Sequence, residues 1–174
     1  ELQKQADHRH AVLEDHLARN EFIQDVLVMD SQQEKQLQKL LVWSDSKAKY
    51  LKERPLIDTV SDANQQLAIL EAQKKEVASV TSTSVAALDK LGAEIKPKKY
   101  QTKFSEWSVQ NIPEIDSRSE RVRSELAELE KLRAILKEHL DKELAREQEK
   151  VGCFRNFPIF FSLFNKKKKF PFHF

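Results

Sequence analysis

Four histidines, His8, His10, His16 and His139, are the first residues in this sequence whose type suggests chemistry, because imidazoles one helical turn apart can hold a metal ion. They lack that spacing. His8 and His10 point to different sides of a helix, and no helical histidine sits four residues from another, so solvated side chains are expected. Carboxylates are abundant, but they alternate with lysines on polar faces and have no apolar pocket to raise a pKa for acid-base work. Cys153 has no base near it in the sequence and receives no nucleophilic role. Trp43 and Trp107 carry rings that can stack on a ligand, yet each lies on an apolar stripe, where a packing anchor is the expected role. The side chains therefore predict a non-enzymatic chain with no cofactor and no metal.

The elements that carry these residues are long helices. From Val60 to Ile95, alternating steps of three and four pick out Val60, Ala63, Leu67, Leu70, Lys74, Val77, Thr81, Ser84, Leu88, Leu91 and Ile95, eight of them apolar. Residues 57–95 as one helix would extend about 58 Å, with a softer middle where Thr81, Thr83 and Ser84 are poor helix formers. Upstream, a stripe including Leu37, Leu40, Leu41, Trp43, Tyr50 and Leu51 stops at Arg54-Pro55, because proline disfavours a helical residue before it. Asp58, Thr59 or Ser61 can cap the following helix. Gly92 and Lys96-Pro97-Lys98-Lys99 are read as its end. A third pattern runs through Phe104, Trp107, Ile112, Ile115, Val122, Leu126, Leu129, Leu132, Leu136, Leu140 and Leu144. Pro113 interrupts it with a kink or a fresh start.

Residues 1–30 carry Leu2, Ala6, Val12, Leu13, Leu17, Phe22, Ile23, Val26 and Leu27 at helical spacing and read as continuous with the first long helix. Their stripe has no evident partner within the chain, so a preceding repeat, another domain or a second subunit is expected to cover it. The start at Glu1, without Met, suggests a piece of a longer chain.

Composition agrees. Charged residues make up 33% of the chain and glycine occurs only twice, which leaves little room for strands and hairpins. The formal charge of +2 conceals a split: residues 1–150 hold 25 bases against 28 acids, a net −3, while the remaining residues hold five bases and no acid. Interleaved signs along the body argue against a nucleic-acid-binding face. A lone cysteine cannot form an internal disulfide, which fits a reducing cytoplasm. No stretch reaches the roughly 18 apolar residues of a membrane span.

Beyond Lys150 the character changes, with eight of the ten phenylalanines and the run Lys166, Lys167, Lys168 and Lys169 in an acid-free stretch. One reading is membrane contact, the lysines attracting anionic lipid while phenylalanines insert at the interface. The preferred reading is a translated intron, since Phe, Lys and Asn are products of AT-rich triplets and Val151-Gly152 requires GTN-GGN. Residues 147–174 are read as an irregular, disordered tail under either.

Leu40-Leu41-Val42-Trp43, then Tyr50-Leu51-Lys52-Glu53-Arg54, resembles the first helix of a spectrin repeat, of the alpha-actinin rod kind in particular. Val60 to Leu70 is similar to that family's second helix, and Ser124 to Leu132 to the leucine- and glutamate-rich end of its third. The resemblance covers roughly residues 30–145. It implies an all-α fold, a three-helix antiparallel left-handed coiled-coil bundle with helices near 30–53, 57–95 and 104–146, preceded by a helical lead-in at 1–29. Its expected anchors are Trp43, Trp107, Leu40, Tyr50, Leu51, Leu67, Leu70, Leu126 and Leu129, the two indoles locking the seam, so that sheet here, or either indole facing open water away from neighbouring helices, would remove both the family assignment and the mechanical role. The resemblance further implies a cytoplasmic, cytoskeletal rod that homodimerises and spaces actin-binding domains lying outside this chain. The family's calcium-binding loops have no counterpart here. The alternatives are an adaptor held to anionic membrane by the tail, and a coiled-coil scaffold unrelated to actin.

Overall fold

The computed structural model describes residues 1–155; the tail beyond them, including Lys166 to Lys169, lies outside the described residues. Among the described residues the chain is mostly helical: α1 (Leu2–Lys52), α2 (Val60–Val80), a π-helical segment (Thr81–Val85), α3 (Ala86–Ile95), a hairpin of β1 (Lys99–Gln101) and β2 (Glu106–Ser108), and α4 (Ile112–Arg155). At 1.5 Å per residue the 51 residues of α1 extend about 77 Å.

Local chemistry sets the boundaries. α1 stops at Lys52, three residues before Pro55, with Glu53 in an extended conformation. Thr59 is the N-cap of α2, its hydroxyl oxygen accepting from the Asp62 amide. At α4, Pro113 occupies the first turn, where the missing amide costs nothing, and Asn111 accepts from the Glu114 and Ile115 amides.

The helices lie side by side. Val26 of α1 shares a cluster with Ile115 of α4; Leu37 and Leu40 with Val122; and Leu51 with Leu129, Leu136 and Leu140. α4 therefore runs parallel to α1. The second rod returns between those ends, because Ala63 and Leu70 pack beside Leu51 while Ile95 packs beside Val26. Inward residues recur at sevens: Val26, Gln33 and Leu40 with Leu37, Ser44 and Leu51 on α1; Ile115, Val122, Leu129 and Leu136 on α4.

The second rod breaks this rhythm, and the π segment repairs it. Ala63, Leu70 and Val77 face inward at sevens, but the next inward residues are Val85 and Gly92, one position late. A π turn accommodates one extra residue in a helix. Here the Thr81 hydroxyl donates to the Val77 carbonyl, which also accepts from the Thr81 amide, and the Ser82 and Thr83 hydroxyls donate to the Ser79 carbonyl, so side-chain donors supplement the ladder where it changes step. The regular spacing expected across this segment is thus corrected: Lys74 and Thr81 are exposed, and Gly92 rather than Leu91 is buried. Deleting Ser82 should restore one seven-residue rhythm and one i to i−4 hydrogen bond. The unfolding midpoint in urea should rise by the equivalent of about 1 kcal/mol with helicity retained.

Three further expectations are corrected. The third helix begins at Ile112, not near residue 104, and residues 99–108 form a hairpin in register Lys99 with Ser108, Tyr100 with Trp107 and Gln101 with Glu106. Scarce glycine did not prevent it. Its connection has four residues, and among the described residues none has a positive φ, so no left-handed position needs glycine. The Thr102 hydroxyl oxygen ties the turn by accepting from the Phe104 and Ser105 amides. Gly92 does not end a helix but lies inside α3. Residues 147–155, expected in the irregular tail, continue α4.

Candidate functional site

Between the end cluster around Val26 and Ile95 and the next apolar cluster around Leu37 and Leu88 sits a buried polar layer. Gln33 of α1 is fully buried, and its side-chain nitrogen donates to the Leu88 carbonyl at 3.4 Å. The Arg118 side chain of α4, 6% exposed, donates to Gln33 Oε1 at 2.8 Å, to Asp30 Oδ1 at 2.6 Å and to Glu114 Oε1 at 3.2 Å, while Glu34 Oε2 lies 3.0 Å from its Nε. Burial pushes the Arg118 pKa down, but the Asp30 hydrogen bond and the charges of Asp30, Glu34 and Glu114 outweigh it and hold the guanidinium above its ordinary value. Gly92 makes the layer possible: a Cβ there would lie 2.7 Å from Gln33 Nε2 and 3.2 Å from Ile115 Cγ2. The arrangement joins α1, α3 and α4 in a single register and contains no nucleophile.

The expected anchors are distributed along the helices. Leu40, Leu51, Leu70 and Leu129 are buried, and Leu67 and Leu126 are half-buried against the same clusters. Trp43 and Tyr50 are half-buried with their polar tips turned to α2: Trp43 Nε1 donates to Glu76 Oε1 at 3.0 Å and the Tyr50 hydroxyl to Gln66 Oε1 at 3.1 Å. Lys47 also reaches Glu76, and its hydrogen bond, with that of Trp43, holds the Glu76 carboxyl below the usual carboxylate range. Trp107 is half-buried on β2, not on the third helix, with its ring centroid 6.0 Å from Phe22. The two indoles therefore sit at opposite ends of the helical array and do not form one seam.

The hairpin covers part of the stripe that residues 1–30 carry. Tyr100 and Ser105 donate their hydroxyls to the two oxygens of Asp15, and Phe22 packs between Tyr100 and Trp107 while Val26 is buried. Ser105 first, then Thr102, Tyr100 and the neighbouring His16, hold the Asp15 carboxyl below its ordinary value of 3.8, against a smaller opposing effect of burial. A depressed carboxylate stabilises the docked hairpin above the ordinary value and loses that contribution as pH falls through its folded value. In a Trp43→Phe background, Trp107 fluorescence should report undocking only below about pH 4. Asp15→Asn should remove that acid limb.

A second face of α1 stays open. Leu2, Leu13, Leu17, Leu27, Val28 and Val42 are half to four-fifths exposed, and at 100° per residue they fall opposite the inward face of Val26, Gln33, Leu37 and Leu40. Of the residues expected on one uncovered stripe, Phe22 and Val26 are thus covered, while Leu2, Leu13, Leu17 and Leu27 stay exposed. Neither Gln33 nor Arg118 stood out in the sequence, although Gln33 lies seven residues from both Val26 and Leu40.

Among the described residues, no three His, Cys, Asp or Glu side chains are grouped to hold a metal ion, and no helix is long and apolar enough to cross a membrane. A cleft of about 550 Å³ between α3 and α4 has charged groups in its lining that pair with one another, Arg123 with Asp89 and Lys96 with Asp116, each at 2.8 Å. No protein-family model, curated protein or solved structure matches this chain.

Proposed function

We propose that this chain is a rigid spacer, a repeat of the spectrin kind in an alpha-actinin-like cytoskeletal rod. The observation that carries the reading is α1, a helix uninterrupted from Leu2 to Lys52 and braced by α4 running parallel to it. A spacer must keep its ends apart under load, and a helix without glycine, proline or π turn offers no hinge. Seven-residue spacing of the inward side chains on α1 and α4 supports a left-handed coiled coil. The hairpin counts directly against the family, since it is sheet inside the expected three-helix span and it takes Trp107 off the third helix. The resemblance then rests on Leu40 to Arg54 and on the heptads.

The exposed stripe of α1 is the proposed homodimer contact. Exposed charges of both signs flank it, Glu14 and Glu21 upstream and Lys35, Lys39 and Asp45 downstream, so two antiparallel copies can pair opposite charges along it. The dimer would space actin-binding domains outside this chain, in the cytoplasm. Sedimentation equilibrium of the full chain should give a mass near twice 20.3 kDa, and Leu13→Lys/Leu17→Lys should return it to that single value. A wild-type chain that stays monomeric at high concentration would remove the dimer from this reading.

A second reading rests on the acid-free run Lys166 to Lys169 among phenylalanines. Four lysines at about 1 kcal/mol each would hold the chain to anionic membrane as a coiled-coil adaptor. It requires that the chain co-sediment with phosphatidylserine liposomes and that deletion of residues 151–174 abolish this. Liposome binding that survives the deletion would exclude it.

A further inference from the structure

The hairpin turn places a hydroxyl where adding charge would undo the clasp on α1. Thr102 is exposed at the end of β1, preceded by Lys98 and Lys99 and followed by Lys103. Its oxygen accepts from the Phe104 and Ser105 amides, and the hydroxyl donates to the Ser105 carbonyl, oxygen to oxygen 3.3 Å. The Ser105 hydroxyl, held by that turn, donates to Asp15, whose other oxygen accepts from Tyr100. The Lys103 ammonium, 4.6 Å from the Phe104 ring centroid, is part of the same turn.

We propose that Thr102 is a phosphorylation site for a basophilic serine/threonine kinase, and that its modification releases the hairpin from the first helix. Kinases select substrates by charge pattern, and three lysines around an exposed threonine, the upstream pair leading into an extended strand, suit an acidic substrate groove. The transfer breaks the bond between the γ-phosphorus of ATP and the ADP oxygen and forms one from that phosphorus to Thr102 Oγ1. The hydroxyl proton passes to the kinase's base. The product's side chain can no longer donate to the Ser105 carbonyl, which keeps the Thr102 amide at 2.9 Å, and it sets roughly two negative charges beside the Asp15 carboxylate. Undocking would uncover Phe22, Tyr100 and Trp107, opening one end of the helical array. The switch is independent of the spacer reading, because it concerns the clasp whatever the helices connect.

The test treats the full chain, in the Trp43→Phe background, with a basophilic kinase catalytic domain and MgATP, then maps the phosphate by mass spectrometry. Hydrogen exchange and Trp107 emission are read on the purified product. The expected result is phosphate on Thr102, about tenfold faster exchange of the Thr102, Phe104 and Ser105 amides, and a red shift of Trp107 emission. Thr102→Glu should reproduce part of the change, and Asp15→Asn should blunt the effect of phosphate. Failure to phosphorylate Thr102 in the folded chain, or a phosphorylated Thr102 with unchanged exchange and emission, would overturn the proposal.

Discussion

Replacing Arg118 with alanine should lower the free energy of unfolding by about 3 kcal/mol, because breaking a buried ion pair leaves its partners without compensation. The partners differ in how badly they suffer. Glu114 and Glu34 are 62% and 42% exposed and can turn to water, whereas Asp30 is 23% exposed and Gln33 is fully buried. The lower end of the range for such a broken pair is therefore the appropriate figure. Arg118→Met with Gln33→Leu and Asp30→Asn should recover most of the loss, since apolar side chains of similar volume then replace the two buried members and no carboxylate is left without its cation at position 30. Urea unfolding followed by circular dichroism measures both. A single variant that loses under about 1 kcal/mol would mean the layer is solvated.

Leu88→Ala should cost about as much for a different reason. Leu88 is completely buried among Leu37, Leu40, Val85 and Val122, where three helical rods converge and the surroundings have little freedom to collapse. Removing three carbons there should cost about 3–4 kcal/mol, the sum of lost transfer free energy and a residual cavity. Leu13→Ala is the matched control: Leu13 is 63% exposed, and its loss should change the stability of a monomer by less than about 0.5 kcal/mol. Equal losses in the two variants, measured in urea at low protein concentration, would place the core elsewhere.

What the sequence disclosed depended on how local each signal was. The long helices were legible because apolar residues at steps of three and four bury only on a helix. Pro55, Thr59 and Pro113 marked boundaries through effects confined to a few residues. The hairpin was illegible because its only signature is the polar-aromatic-polar alternation of Lys99-Tyr100-Gln101 and Glu106-Trp107-Ser108, too short to outweigh a helical reading of Phe104 and Trp107. Its docking depends on Asp15, some 85 to 90 residues away. Arg118 and Gln33 were passed over for a related reason. A charged or amide side chain at an inward position reads as surface until the partner that satisfies it is known, and here the partners come from three helices. Gly92 shows the same limit, since its role is to leave room for Gln33 rather than to end a helix.

The claim on which the spacer depends is that α1 is one straight, stiff strut, and a single distance measures it. Asn20→Cys and Lys49→Cys in a Cys153→Ser background place spin labels at two exposed sites 29 residues apart on nearly the same side of α1. Double electron-electron resonance should give one narrow distribution near about 44 Å. A broad distribution, or one centred below about 30 Å, would show a helix that bends or breaks between those sites and would contradict a rigid rod.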